Sequence, residues 1–178
     1  GAFKGEEFTL ELSSASHLSL LGGAPSAATL ALKSNPVKLS FDGTASLGNN
    51  PYATGQASFS TPSGRKLLAW SGASIPVGSA IEAFSVESRI MADPARIRFE
   101  EASITLDNKP ARGVLDLLLN GATPKVSGTM AFDTLDLGAF LAGFTPFDPL
   151  AGNGPGRIDT DFASRLNLDV RLAAPQAT

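Results

Sequence analysis

Cysteine is absent from the 178 residues. Its absence excludes disulfides, thiol nucleophiles and cysteine-held metals, and leaves the compartment open. Histidine occurs once, at His17. No site built on two histidines can form. A Ser-His-acid triad would have to use His17, which has no nucleophile-elbow motif near it; the residue reads as a turn or surface histidine. Trp70 and Tyr52 stand alone in their types, too few for an aromatic platform that stacks sugars or unpaired bases. Only 17% of residues are charged, 14 basic against 17 acidic. No basic run points to nucleic acid. No apolar run approaches the length of about 18 residues that a membrane-spanning helix needs.

Chemistry-bearing clusters are scarce as well. Asp133, Asp136, Asp148, Asp159 and Asp161 make a loosely acidic region. It lacks the tight oxygen-ligand spacing of a calcium loop, so these read as turn and cap carboxylates. Gly152-Asn153-Gly154-Pro155-Gly156 has neither the preceding strand nor the Lys-Ser/Thr ending of a phosphate loop, and reads as a plain loop. The residues themselves therefore point to no catalytic, cofactor-binding or metal-binding group.

What is present is apolar alternation. Hydrophobic residues make up 43% of the chain and mean hydropathy is +0.09. Such a chain either builds a large core or leaves apolar surface open. Phe8, Leu10 and Leu12 alternate with Thr9, Glu11 and Ser13. The same period of two runs through Leu30–Leu32, Val37–Phe41, Phe84–Ile90, Leu115–Leu119, Val126–Phe132 and Leu166–Leu172. It marks half-buried strands, because successive side chains point to opposite faces of a sheet. Gly22-Gly23, Asn35-Pro36, Asp42-Gly43, Asn49-Asn50-Pro51, Asp93-Pro94 and Asp107-Asn108-Lys109-Pro110 punctuate the strands as turns. Between Arg96 and Asp107 the apolar phase slips, from Ile97 and Phe99 to Ala102, Ile104 and Leu106. A slip at Glu100-Glu101 predicts a bulge or bend.

Two short helices are expected. Ser60-Thr61-Pro62 supplies capping hydroxyls and a proline suited to the first turn, so one helix should run from about Pro62 to Trp70 with Leu67, Leu68 and Trp70 toward the sheet. Leu135, Leu137, Phe140 and Leu141 are spaced as one face of a second.

The strand–helix unit occurs twice. A shift of 73 residues carries Gly55 onto Gly128, and with it Phe59 onto Phe132, Thr61 onto Thr134, Leu68 onto Leu141 and Ala69 onto Ala142. Gly48, Pro51 and Pro76 likewise meet Gly121, Pro124 and Pro149. The polar/apolar phase agrees as well as the letters. The chain thus divides into N-terminal strands at 1–50, a first β-helix-β repeat at 51–123 and a second, truncated repeat at 124–178. It reads as a fragment of something longer. The expected fold is mainly β: a long, antiparallel, curved, repeat-built sheet with two short amphipathic helices.

The letters of several segments carry a resemblance. FEEASITLDNKPARGVLDLLLNG (Phe99–Gly121) and PKVSGTMAFDTLDL (Pro124–Leu137) resemble the AsmA-like family of bacterial envelope proteins. The shared features are the Asp107 turn before Ala111-x-Gly113, then P-x-V-x-G, then F-D-x-L-D-L. Ser60–Gly72 is similar to the family's inter-strand helix. Ile158-Asp159 and the strand after it look like the lead-in to a family C-terminal module. The resemblance runs from about Leu39 to the end, and its motifs are packing and turn residues.

That resemblance implies a non-enzymatic periplasmic segment whose parent protein is anchored in the bacterial inner membrane. It implies a relation to bridge-type lipid transfer proteins, an apolar β-groove and a part in phospholipid transport or outer-membrane biogenesis. Partners would be phospholipid acyl chains and flanking segments of the same chain, with no nucleic acid and no cofactor. Leu115, Leu117, Leu119, Val126, Met130 and Phe132 are the candidate lipid-lining residues. The competing expectation is a structural or protein-interaction scaffold in envelope assembly, with the same residues in a closed core and no lipid bound.

Overall fold

A computed structural model describes residues 1–71, 83–121, 123–134 and 167–175. Its centre is one ten-stranded sheet whose strands lie side by side in chain order. They are β1 (Ala2–Phe3), β2 (Glu6–Ser14), β3 (Ser26–Ser34), β4 (Lys38–Ser46), β5 (Tyr52–Thr61), β6 (Phe84–Ala92), β7 (Arg96–Leu106), β8 (Lys109–Leu118), β9 (Lys125–Phe132) and β10 (Asn167–Ala173). Each neighbour from β1 to β9 pairs antiparallel. The short turns from β3 to β5 and from β6 to β9 permit no other arrangement, and the longer β2–β3 and β5–β6 connections, which hold the helices described below, also join antiparallel neighbours.

The last strand departs from the expected meander. β10 pairs parallel with β9, Val170 beside Gly128 and Leu172 beside Met130. A parallel return needs a connection of a dozen residues or more, and residues 133–166 provide it. Alternation along Leu166–Leu172 fixes the face of that strand but carries no sign of its direction.

Most turns fall where punctuation placed them. Asp107 and Asn108 form the two-residue β7–β8 loop with φ of 48° and 66°, as a turn matched to the twist of the strands requires. Lys109 and Pro110 already belong to β8. Asp42-Gly43 is not a turn: both residues lie inside β4. Gly43 instead faces Gly55 across the β4–β5 ladder. The slip at Glu100-Glu101 is a register shift between Phe99 and Ala102, with Glu101 at φ 51°. The same bulge interrupts the ladder on the other side of β7, where Ser88 of β6 stands opposite two β7 residues between Glu87 and Arg89.

Two helices occur among the described residues. α1 (His17–Gly22) connects β2 to β3 and has no counterpart in the expected elements. It is one and a half turns long, too short for a 3.6-residue period to register. Ser16 caps it by accepting from the Ser19 N–H, and Gly23 ends it at φ 87°. α2 (Gly64–Ser71) follows β5. Its cap is Ser63, whose hydroxyl accepts from the Lys66 N–H at 3.4 Å, while Thr61 closes β5. Pro62 precedes the helix, because Thr61 takes the Ser63 N–H in a turn of its own. Trp70 stacks edge-on against Phe3 at 5.5 Å and donates Nε1–H to the Phe3 carbonyl, so α2 reaches the β1–β2 hairpin. Leu67 is half-buried; the side chain of Leu68 and the second expected helix, Leu135–Leu141, lie outside the described residues.

The core is Ala102, Ile104, Ala111, Met130 and Phe132, with Phe84, Val86, Phe99, Leu106, Leu115, Val170 and Leu172 packed around it.

Candidate functional site

Antiparallel partners share a face, so the registers sort every strand residue by side. One face is apolar from edge to edge. Leu10 and Leu12 on β2 lie beside Leu32 and Leu30 on β3. These continue to Leu39 and Phe41 on β4, then Phe59 and Ala57 on β5. Val86 and Ile90 carry the row across β6 to Ile104 and Phe99 on β7. The opposite face is polar: Ser40 meets Ser58, Asp42 meets Gln56 and Arg98 meets Asp116. There Asp116 takes Arg96 Nε at 2.8 Å and Arg98 Nη1 at 3.5 Å.

Five of the six candidate lining residues lie together on the apolar face. Leu117 pairs with Val126, and Leu115, Met130 and Phe132 face Gly128, Gly113 and Ala111. Leu119 sits one residue past the end of β8, is 42% exposed, and donates its N–H to the Ala95 carbonyl. Burial splits the six. Met130 and Phe132 are 6% and 3% exposed, inside the core cluster. Leu115, Leu117 and Val126 are half-buried, as are Ile97 and Phe99 beside them.

The face also extends well beyond the six. Leu30, Leu32, Leu39, Phe41 and Phe59 are half-buried on it, and Leu10 and Leu12 are 56% and 57% exposed. Their alternation was legible, but only strand order shows that they adjoin the Leu115–Phe132 patch. Four glycines stand on the same face, at Gly43, Gly55, Gly113 and Gly128. At each, a Cβ would press on the backbone of the neighbouring strand.

Chemistry-bearing groups are dispersed. Among the described residues no three or more His, Asp or Glu side chains gather. His17 is exposed on α1. Asp133 is exposed beyond β9, and Asp136, Asp148, Asp159, Asp161 and the Gly152–Gly156 loop lie outside the described residues. A depression of about 480 Å³ at the β3–β4 turn is bordered by Ser34, Asn35, Lys38 and Asn108, with Pro62, Ala83 and Phe84 among its apolar members. It opens at the strand ends.

Comparison with family models, with curated proteins and with solved structures finds no match to this chain.

Proposed function

We propose that the apolar face of the sheet receives phospholipid acyl chains. In this reading the chain is a non-enzymatic periplasmic segment of an AsmA-like protein, anchored through its parent in the bacterial inner membrane and serving lipid transport or outer-membrane biogenesis. The observation that carries the reading is the continuity of the apolar face from Leu10 on β2 to Leu172 on β10, with its middle half-open and its reverse polar. An acyl chain on such a floor gains about 0.8 kcal/mol for each CH₂ removed from water.

Curvature toward the lipid supports the same reading. The bulge on β7, which puts one extra residue against both β6 and β8, is a device that bends a sheet. The four glycines relieve crowding on the apolar side, as a concave face requires. The repeat supports it too: Gly55 and Phe59 on β5, and Gly128 and Phe132 on β9, point to one face. The lining then narrows to Leu115, Leu117, Val126 and Leu119 with Ile97 and Phe99. Met130 and Phe132 close one end.

That closed end favours a second reading, a scaffold in envelope assembly with an ordinary core and no lipid. Native mass spectrometry of the purified chain, followed by organic extraction, separates the two. Stoichiometric phospholipid, lost in a Leu115→Asp/Leu117→Asp variant that retains its β signal, is expected. A lipid-free mass from membrane-containing cells, unchanged on incubation with phospholipid vesicles, would favour the scaffold.

A further inference from the structure

The end of the sheet formed by α1 and the β4–β5 loop is apolar without being buried. Leu18 and Leu21, three apart on one side of α1, are 87% and 66% exposed, and Leu47 in the loop is 54% exposed. The three belong to one packed unit. The Leu47 N–H donates to the Leu20 carbonyl at 2.9 Å, and a Cβ on Gly48 would press on the Gly23 Cα. Leu20 is 4% exposed and holds the helix down from its other side.

We propose that this end docks on a phospholipid bilayer, with Leu18, Leu21 and Leu47 entering the lipid interface. Charge points to lipid rather than to protein. Residues 12–32 and 43–64, which build this end, contain no Asp, Glu, Lys or Arg, although 17% of the whole chain is charged. His17 is their only basic side chain. The next charges along the same end, Asp93 and Arg96, stand at the β6–β7 turn beyond β5. A protein interface surrounds its apolar centre with a polar rim, and this end offers a partner no charge to pair. Hydrocarbon asks for none, and a charge carried into it would be costly. Size argues the same way. Stable association of two proteins takes about 20–30 residues a side. Three leucines on one short helix and one loop fall well short of that, whether the partner is another protein or a second copy. Insertion into lipid has no such threshold, because each apolar side chain contributes its own burial.

The backbone of this end suits the same environment. Carbonyls at the end of a helix have no partner within it, and an unpaired carbonyl is costly where water is scarce. Here the Ser19 carbonyl takes the Ala24 N–H at 2.9 Å, the Leu20 carbonyl takes the Leu47 N–H, and the Gly23 carbonyl takes the Ser46 hydroxyl at 2.9 Å. At the start of α1 the Ser16 N–H donates to the Ser26 hydroxyl, and the Ser16 hydroxyl accepts from the Ser19 N–H. The leucines can therefore enter lipid without drawing these groups in unpaired. α1 is six residues long, far below the about 20 that span a bilayer, so the contact is interfacial.

Docking does not rest on lipid along the sheet, and the test keeps the two apart. Delipidated chain is floated with phosphatidylcholine vesicles. It should float, and added salt should not release it, since no ion pair holds it. Each of Leu18→Ser, Leu21→Ser and Leu47→Ser should weaken partitioning by about three- to tenfold, and the triple variant by about a hundredfold, with its far-UV circular dichroism unchanged. The Leu115→Asp/Leu117→Asp chain should float as the parent does. The chain has no cysteine of its own, so a Leu47→Cys chain can carry a single polarity-sensitive dye. Its emission should shift to the blue on vesicles. The same dye on Thr129→Cys, exposed on the polar face, should not shift. Failure to float, equal flotation of the triple variant, release by salt, or loss of flotation in the Leu115→Asp/Leu117→Asp chain would each overturn the proposal. So would leucine-dependent dimerisation in sedimentation velocity without flotation, which would make a second copy the occupant.

Discussion

Gly43 and Gly55 face each other across β4 and β5 on the apolar side of the sheet. A Cβ on Gly43 would stand 2.7 Å from the Gly55 Cα, and one on Gly55 would stand 2.5 Å from the Gly43 Cα. Both positions are therefore closed to any side chain unless the strands part. Gly43→Ala and Gly55→Ala are each expected to cost about 1–3 kcal/mol, the usual range for overpacking. Urea unfolding measures it. The double variant should cost less than the sum, because strands parted for one methyl have made room for the next. Strict additivity would show that the two glycines are not packed on each other.

The closed and half-open parts of the apolar face should respond differently to truncation. Ile104 and Phe132 are each 3% exposed. Replacing either by alanine leaves a cavity and should cost about 2–5 kcal/mol. Leu117 and Val126 are half-buried partners on β8 and β9. Their alanine variants should cost less than about 1.5 kcal/mol, since water or lipid fills the space. Losses at Leu117 as large as those at Ile104 would place it in a sealed core and count against a lining role.

The β7–β8 turn rests on Asp107 as well as on its shape. Asp107 accepts the Ala83 N–H at 2.8 Å through Oδ1 and donates its own N–H to the Ala83 carbonyl at 2.9 Å. Its φ is 48°. Asp107→Ala keeps the positive φ at greater strain and loses the side-chain bond, for an expected cost of about 1–2 kcal/mol. Asn108→Gly removes strain at φ 66° and should be neutral or slightly stabilising in a thermal melt. A stabilised Asp107→Ala would mean that the Ala83 contact contributes nothing.

How much of this was legible depends on the range of the signal. Apolar alternation is local, so strand existence and face could be read for Phe8–Leu12 and Val126–Phe132 alike. The bulge was legible because a phase slip between Phe99 and Ala102 is written in the letters. Asp42-Gly43 misled because the composition of a turn and that of a tight strand crossing are the same; only the Gly43–Gly55 pairing distinguishes them. The direction of β10 depends on a long connection, on which alternation is silent. The six candidate lining residues could be placed on one face, but not divided into buried and half-open. That division comes from neighbours distant in sequence, such as Ile104 beside Ala111 and Ala111 beside Phe132.

The bulge itself gives the last prediction. Ser88 is 4% exposed and sits at the β6 register shift. Its hydroxyl lies 2.8 Å from the Glu100 carbonyl and 2.9 Å from that of Arg89. It ties β6 to the bulged part of β7, where Glu101 is held at φ 51°. Ser88→Ala leaves buried carbonyls without that donor and should cost about 1–3 kcal/mol. Glu101→Gly acts on the other side of the same feature. It relieves a left-handed conformation worth about 1–2 kcal/mol and gives back about 0.5–1 in chain entropy, for a net gain of up to about 1 kcal/mol. If the tie holds Glu101 in its strained conformation, the two changes couple. Ser88→Ala should then cost less in the Glu101→Gly background than in the parent chain, by an amount a double-mutant cycle resolves. Independent effects would mean that β7 keeps its bulge without help from β6.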